Sequence, residues 1–158
     1  MKFNNHSPLI ILLLILTSCA FANKKIATSP MPGFYTLEIK EARQLFAQLS
    51  TVDKFKLYIW DLENWHPHNM YLGDELAKSG HKAIPYIETE LLGITQNSPD
   101  SFKVWRLLTV LNAIHEIDPI SCGSRIRVTV KDAITKLRKN HYEDAIFTSA
   151  QNLSRECE

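Results

Sequence analysis

Apolar residues recur every three or four positions along most of the chain after residue 36. The longest stripe runs from Val104 to Ile117, and shorter ones begin at Ala42, Phe55 and Ile126. This spacing places the apolar side chains on one face of an α-helix, and no stretch shows the sustained two-residue alternation of a half-buried strand. The pattern predicts an all-α domain of about seven helices, which can stack as helical hairpins because short turns join them.

Residues that favour helix ends mark several of the boundaries. Ser50, with Asp53 three residues later, is close to a capping box, and Asp100 or Ser98 precedes the longest stripe. Pro85 fits a helix only within its first turn, where the missing N–H would have no partner in any case. These signals predict helices that begin near residues 51, 84 and 101.

The first 22 residues follow a different pattern. After Lys2 and a short polar stretch, the run from Leu9 to Leu16 has no polar side chain. Eight residues make a helix of roughly 12 Å, which is far shorter than the ~30 Å hydrocarbon core of a bilayer. A positive start, a short apolar core and small residues beyond it are typical of a signal peptide rather than a membrane span.

Two cleavage sites overlap at the end of this segment. Leu16-Thr17-Ser18-Cys19 resembles the lipobox of bacterial lipoproteins, which implies removal of residues 1–18 and attachment of lipid to Cys19. In that family, a residue other than Asp after the cysteine implies sorting to the outer membrane. Alternatively, Ala20-Phe21-Ala22 resembles an ordinary signal-peptidase site, and cleavage after Ala22 would leave a soluble periplasmic or secreted protein.

The lipoprotein interpretation divides the chain into three parts. Residues 1–18 are the signal peptide, residues 19–35 are the lipidated cysteine and a flexible tether, and residues 36–158 are the helical domain. The tether contains Ser29-Pro30-Met31-Pro32-Gly33, a composition that disfavours helix and sheet. We expect an exported, periplasmic protein that Cys19 anchors to the outer membrane.

Charge limits what the exported protein can bind. The full chain has 18 Lys+Arg and 17 Asp+Glu, and Lys2 is the only charged residue of the signal peptide, so 17 of each remain. A neutral body lacks the strong basic field of a nucleic-acid-binding protein, so we expect no nucleic-acid partner. For the same reason, attachment to a membrane must come from lipid rather than from a polybasic patch.

Only Cys122 and Cys157 remain after lipidation or loss of Cys19. An isolated pair of cysteines outside the cytoplasm tends to be oxidised, so we predict a Cys122–Cys157 disulfide. It would close a loop of about 36 residues and contribute ~3–4 kcal/mol in the chain-entropy model. The alternative is two reduced, buried thiols.

One stretch of the helical region resembles a HEAT-type repeat. The residues that carry the resemblance are Gly80-x-x-Ala83-Ile84-Pro85-x-Ile87 with Leu91, followed by Asp100, Val104, Arg106, Leu107, Leu111 and Ile114. Trp105 separates Val104 from Arg106, which departs from the adjacent Val-Arg of that family. The resemblance implies stacked helix pairs that expose a protein-binding surface, and a generic helical bundle with the same periodicity is the alternative.

His66 and His68 are the only closely spaced histidines of the exported chain. With Asp61, Glu63 and Asp74 nearby in sequence, they could form part of a zinc site, as in a metal-dependent enzyme or a metal-binding protein. No third ligand follows at motif spacing, however, so a polar helix end capped by histidines explains the pair more simply. The chain also lacks a nucleophile elbow, a P-loop and a dinucleotide-binding motif. We therefore expect no catalytic residue, no bound metal and no cofactor.

Aromatic and basic residues supply the remaining candidates for binding. Trp60, Trp65, Tyr71 and Trp105 could present a platform for a protein or for a glycan such as peptidoglycan, or they could simply pack in the core. The stretch Arg125, Arg127, Lys131, Lys136, Arg138 and Lys139 could meet an acidic partner or could be a solvated helix face. The predicted partner-binding residues are Trp65, His66, His68, Trp105, Arg125 and Arg127.

Together these features predict a lipid-anchored protein of the cell envelope that binds another protein. An inhibitor, an immunity protein and an accessory subunit of an envelope complex are the forms such a protein could take. The metal-dependent interpretation of His66 and His68 and the glycan-binding interpretation of the aromatic residues are the alternatives.

Overall fold

The structure is a computed structural model that describes residues 29–94, 100–137 and 142–154. These residues form seven α-helices and no strand, which confirms the all-α prediction. The helices are α1 (Ile39–Gln48), α2 (Thr51–Asn64), α3 (Tyr71–Ala77), α4 (Ile84–Leu92), α5 (Ser101–Ile117), α6 (Arg125–Lys136) and α7 (Glu143–Ser154), with short 3-10 turns at Phe34–Thr36 and Gly80–Ala83. The signal peptide, the lipobox with Cys19, the Ala22 site and Cys157 lie outside the described residues, so those predictions stay predictions.

Local sequence signals explain where the helices begin. The Ser50 side chain accepts a hydrogen bond from the Asp53 N–H at the start of α2, and the Asp100 side chain accepts one from the Lys103 N–H at the start of α5. Pro85 occupies the first turn of α4, where its missing N–H has no intrahelical partner.

The helices stack in two layers. In the first layer α1 packs against α3, α3 against α5, and α5 against α7. In the second layer α4 packs against α6, and the Gly80–Ala83 turn that leads into α4 packs against α2. This alternation is the arrangement of stacked helical hairpins, in which each pair buries its apolar face against the next.

The core is centred on α5, the longest helix. Five of its apolar residues are completely buried: Val104, Leu107, Leu108, Leu111 and Ile114. They occupy the stripe predicted from the sequence, and they face α3 and α7 in one layer and α4 and α6 in the other. None of the described helices is both long enough and apolar enough to cross a bilayer.

The packed body begins earlier than the predicted boundary at residue 36. Phe34 is only 1% exposed and its ring lies 6.2 Å from that of Phe46 in α1, and Tyr35 packs against the same core. Gly33 adopts φ +84°, a left-handed conformation that glycine takes without strain, and this turn directs the chain into the core. The end of the predicted 19–35 tether is therefore part of the domain, because burying two aromatic rings outweighs the local effect of the Pro and Gly residues.

Candidate binding surface at the aromatic end

Three of the helix connections meet at one end of the stack. The segment between α2 and α3 contacts the start of α5, where the His68 ring stacks on Phe102 at 4.7 Å, and Phe102 in turn lies 5.6 Å from Tyr142 before α7. We call this end, with its rings Tyr35, Trp60, Trp65, His66, His68, Phe102, Trp105 and Tyr142, the aromatic end.

The rings of the aromatic end form two neighbouring clusters. In the first, the centroid of the Tyr35 ring lies 4.9 Å from that of Trp60 and 4.5 Å from that of Trp65. In the second, Trp105 stacks on Tyr142 at 5.5 Å with an interplanar angle of 18°. His66, whose ring lies 4.3 Å from His68, follows directly after Trp65 and so links the two clusters. The structure thus brings together four of the six predicted partner-binding residues.

A buried carboxylate holds the segment between α2 and α3 in place. Asp61 is completely buried, and its two oxygens accept hydrogen bonds from the Asn69 N–H at 3.0 Å and the Asn69 side-chain amide at 2.9 Å. His68 Nδ1 lies 3.0 Å from the Asp61 backbone carbonyl and 3.8 Å from its carboxylate. Asp61 therefore fixes where His68, and with it the stacking on Phe102, is located.

Burial shifts the ionisation of this network. Desolvation raises the pKa of Asp61 above its usual range, although the hydrogen bonds from Asn69 act in the opposite direction. The pKa of Tyr35 is also raised, first by burial and then by the neighbouring Asp61 carboxylate. The Tyr35 hydroxyl is buried near that carboxylate without reaching hydrogen-bond geometry. Ionisation of the Tyr35 hydroxyl beside the Asp61 carboxylate is therefore unfavourable.

The metal-site hypothesis has no support in the described part of the chain. That part contains no group of three or more His, Cys, Asp or Glu side chains placed to hold a metal ion. His66 and His68 lie side by side, but Asn69 occupies both oxygens of the nearest carboxylate, Asp61.

The accessible surface of the aromatic end includes large apolar side chains. Trp65 is 37% exposed and Met70 is 56% exposed, whereas Trp105 is partly buried against the core. Beside Trp60 is an open cavity of about 390 Å³ whose lining includes Lys56, Asn64 and Pro30. An exposed tryptophan and an exposed methionine on one segment, which hydrogen bonds to a buried carboxylate hold in place, are suited to docking against another surface.

Arg125 and Arg127 do not belong to this surface. They lie at the start of α6, near the connections α3–α4 and α5–α6, which meet where His81 Nε2 lies 3.0 Å from the Asp118 carbonyl. Arg125 Nε forms a 3.0 Å ion pair with Glu88 of α4, and Arg127 donates hydrogen bonds to the carbonyls of Ile120 and Ser121. The six predicted partner-binding residues are thus divided between two places, and both arginines make structural contacts.

Sequence reasoning missed Asp61, Lys103 and Tyr35 as organising residues. For Asp61 there is a signal, because a carboxylate three residues after Tyr58 and one before Leu62 lies on the apolar face of α2. Lys103 connects α5 to Glu63 and Glu90, which are 40 and 13 residues away, and no local pattern indicates such contacts. Tyr35 was assigned to the tether because of the adjacent Pro and Gly residues.

No protein-family model matches this chain, and neither a curated protein nor a solved structure is detectably similar to it. Any function must therefore be argued from the residues and the geometry described above.

Proposed function

We propose that this chain is an exported, lipid-anchored protein that binds another protein of the cell envelope through its aromatic end. The observation that carries the proposal is the segment Trp65–Met70, which exposes Trp65 and Met70 and is tied to the buried Asp61 by hydrogen bonds from Asn69. Tryptophan is strongly enriched among residues that dominate binding energy, and a segment ordered before binding loses less conformational entropy.

Two further features support the envelope setting. The lipobox Leu16-Thr17-Ser18-Cys19 follows a short apolar run, and an exported body with equal numbers of basic and acidic residues needs lipid rather than charge for attachment to a membrane. The two-layer stack also agrees with the HEAT-like resemblance, and helical repeats commonly serve as protein-binding surfaces. The proposed role is that of an inhibitor, immunity protein or accessory subunit, and it needs no bound cofactor.

Site-specific photo-crosslinking in envelope preparations tests the binding surface. A Met70→p-benzoylphenylalanine variant should yield one discrete adduct. A Val128→p-benzoylphenylalanine variant, whose label occupies an equally exposed position on α6, should not yield it. Adding Trp65→Ala to the first variant should reduce the adduct by at least tenfold, because a buried anchor at an interface is worth about 2 kcal/mol or more. Identical adducts from both positions, or an adduct indifferent to Trp65→Ala, would contradict the proposal.

Cell fractionation tests the anchor separately. Cys19→Ser should move the protein from the membrane fraction to the soluble periplasmic fraction, because acyl chains supply the attachment. Cys122→Ser, which replaces a cysteine outside the lipobox, is the control and should leave the membrane association unchanged. An unchanged distribution of Cys19→Ser would reject the lipid anchor without affecting the binding surface.

The cavity beside Trp60 favours a glycan as a second candidate ligand. Trp60 lines this cavity together with polar side chains, including Lys56, Asn64, Glu63 and Glu90, and sugars bind to such combinations of an aromatic face and hydrogen-bonding groups. Titration with soluble peptidoglycan fragments should then change the tryptophan fluorescence, and Trp60→Ala should abolish the binding. Trp105→Ala, in the other cluster, should retain it. Fragments that do not bind would exclude this candidate.

A further inference from the structure

An apolar groove lies between α6 and α7, the last two helices of the stack. Its volume is about 410 Å³, and its apolar lining is Val130, Ile134, Phe147, Ala150 and Leu153. Phe147 is 58% exposed, although it is a large apolar side chain. None of the residues that line the groove belongs to the aromatic end, so a ligand there is independent of the proposed function.

The same face of α6 also carries two cations. Arg127 and Lys131 line the groove, and with Val130 and Ile134 they follow the i, i+3, i+4, i+7 spacing of one helix face. Arg127 lies in the first turn of α6 and Lys131 follows one turn later, beside Val130 and Ile134. The groove therefore combines an apolar wall with two positive charges on one helix face.

Arg127 has one nitrogen that is not satisfied. Its Nε and Nη2 donate to the carbonyls of Ser121 and Ile120, but Nη1 is buried and has no hydrogen-bond partner among the described residues. A buried donor on a charged group without a partner is costly, so a carboxylate that entered the groove far enough to reach Nη1 would stabilise the protein. Lys131 is exposed and adds a second positive charge beside it.

We propose that this groove binds a long-chain fatty acid, with the carboxylate at Arg127 and Lys131 and the acyl chain along the apolar wall. The volume lies in the range of pockets for single small molecules. It is small for a docked helix, whose diameter with side chains is about 10–12 Å. The neighbouring chain segments 138–141 and 155–158 contain no Val, Leu, Ile, Met or Phe, so their composition does not suit an apolar groove.

Isothermal titration of the exported chain with myristate, below the concentration at which it forms micelles, tests the site. One myristate should bind per chain, and laurate, with two fewer methylenes, should bind about tenfold more weakly or worse because each buried methylene is worth about fourfold in Kd. Lys131→Glu should weaken myristate binding at least tenfold. Lys40→Glu, with the same charge change on an exposed residue of α1, should have no effect.

A cationic amphiphile checks the role of charge. Tetradecyltrimethylammonium has a chain of the same length and should bind the wild type more weakly than myristate does, and Lys131→Glu should reduce that preference at least tenfold. Equal binding of the two amphiphiles, equal binding by Lys131→Glu and Lys40→Glu, or no binding of myristate would each overturn the proposal.

Substitutions in the wall separate a fatty acid from other occupants. Phe147→Ser should abolish myristate binding, whereas Val128→Ser, at an equally exposed position of α6 that does not line the groove, should not. If Phe147→Ser loses its helical circular dichroism, the Lys131→Glu comparison still decides the question. A wild-type dimer in light scattering that Phe147→Ser converts to a monomer, without any myristate binding, would assign the groove to a second copy of the chain.

Discussion

Asp61 is the residue on which the arrangement of the aromatic end depends most directly. Its carboxylate is withdrawn from solvent on the core-facing side of α2, and both of its oxygens are used by Asn69. A buried carboxylate is costly unless it is hydrogen-bonded, and here the hydrogen bonds hold the segment that carries His66 and His68. The hydrogen bonds from Asn69 that stabilise the buried Asp61 carboxylate thus also position the candidate binding surface.

The raised pKa of Asp61 predicts a pH dependence with a definite sign. The folded protein holds the Asp61 proton more tightly than the unfolded chain, whose aspartate pKa is about 3.9. This contribution to stability is therefore complete below that value, and it is lost as the pH rises through the higher, folded pKa. We expect the free energy of unfolding of the wild type, relative to Asp61→Asn, to fall between about pH 3 and pH 7.

Urea denaturation of both proteins across that range measures this difference. The other carboxylates titrate in both proteins and largely cancel. A wild-type advantage that instead grew with pH would show that the pKa of Asp61 is lowered on folding, in contradiction to the prediction.

Lys103 is a second residue whose charge joins distant parts of the chain. Its amino group lies 2.5 Å from Glu63 and 2.9 Å from Glu90, and only 12% of its side chain is exposed. Burial alone would lower the pKa of Lys103, but the hydrogen bonds to the two carboxylates outweigh it and raise the pKa. Its stabilising effect is complete below about pH 10.4, the unfolded value, and disappears as the pH rises above the folded value.

Lys103→Met should lower the free energy of unfolding at pH 7 by about 1–3 kcal/mol, because two carboxylates then lose a shared, largely buried partner. Lys78→Met is the matched control. Lys78 pairs with Glu75 at 2.7 Å but is 63% exposed, so its loss should cost less than about 0.5 kcal/mol. Equal losses in chemical denaturation would show that Lys103 contributes no more than a surface pair.

The sequence predicts the candidate binding residues better than it predicts the contacts that position them. The chemistry of Trp65, His66, His68 and Trp105 predicts binding, and the structure places these residues at one end of the stack. Their proximity depends on contacts between residues such as His68 and Phe102, which are 34 positions apart. Helical periodicity reports only neighbours within about two turns, so it indicates neither these contacts nor the role of Lys103.

At the scale of the helix, α5 determines most of the packing. It contacts α3, α4, α6 and α7, and its first turn is capped by Asp100. The capping residues at positions 50 and 100 were predictable because each acts on an N–H three residues away. The layer in which each helix lies was not predictable in the same way, since it depends on which apolar faces meet.

Removal of the α5 cap should destabilise the whole domain. Asp100→Ala leaves the Lys103 N–H without its side-chain acceptor, and we expect a loss of about 1 kcal/mol. Ser124 occupies the corresponding position before α6 but makes no capping hydrogen bond, and its hydroxyl is buried without a partner among the residues that the structure describes. Ser124→Ala should therefore be neutral or slightly stabilising. Thermal unfolding of the two variants compares them directly, and a larger loss for Ser124→Ala would contradict this account.

At the scale of the whole molecule, the apolar surfaces of the first and the last helices of the two-layer stack have no further helix to cover them among the described residues. At the first helices, Phe34 and Tyr35 pack over α1 and α2 and cover their apolar surface. At the last helices, the apolar groove between α6 and α7 stays open and Phe147 is exposed. The hydrophobic pattern predicted the number of helices, but the difference between a covered end and an open end depends on residues that the pattern assigned to a tether.

The covering role of Phe34 leads to a prediction that distinguishes a packed end from a tether. Phe34 is 1% exposed, so Phe34→Ala should leave a cavity and lower the free energy of unfolding by about 3–5 kcal/mol. Leu37, three residues later, is 37% exposed, and Leu37→Ala should cost less than about 1 kcal/mol. If residues 29–35 were only a linker to the anchor, both substitutions would have equally small effects in urea denaturation. A large loss confined to Phe34→Ala would instead place the start of the cooperative fold before residue 36, and a shortened chain beginning at residue 36 should then unfold at a lower urea concentration.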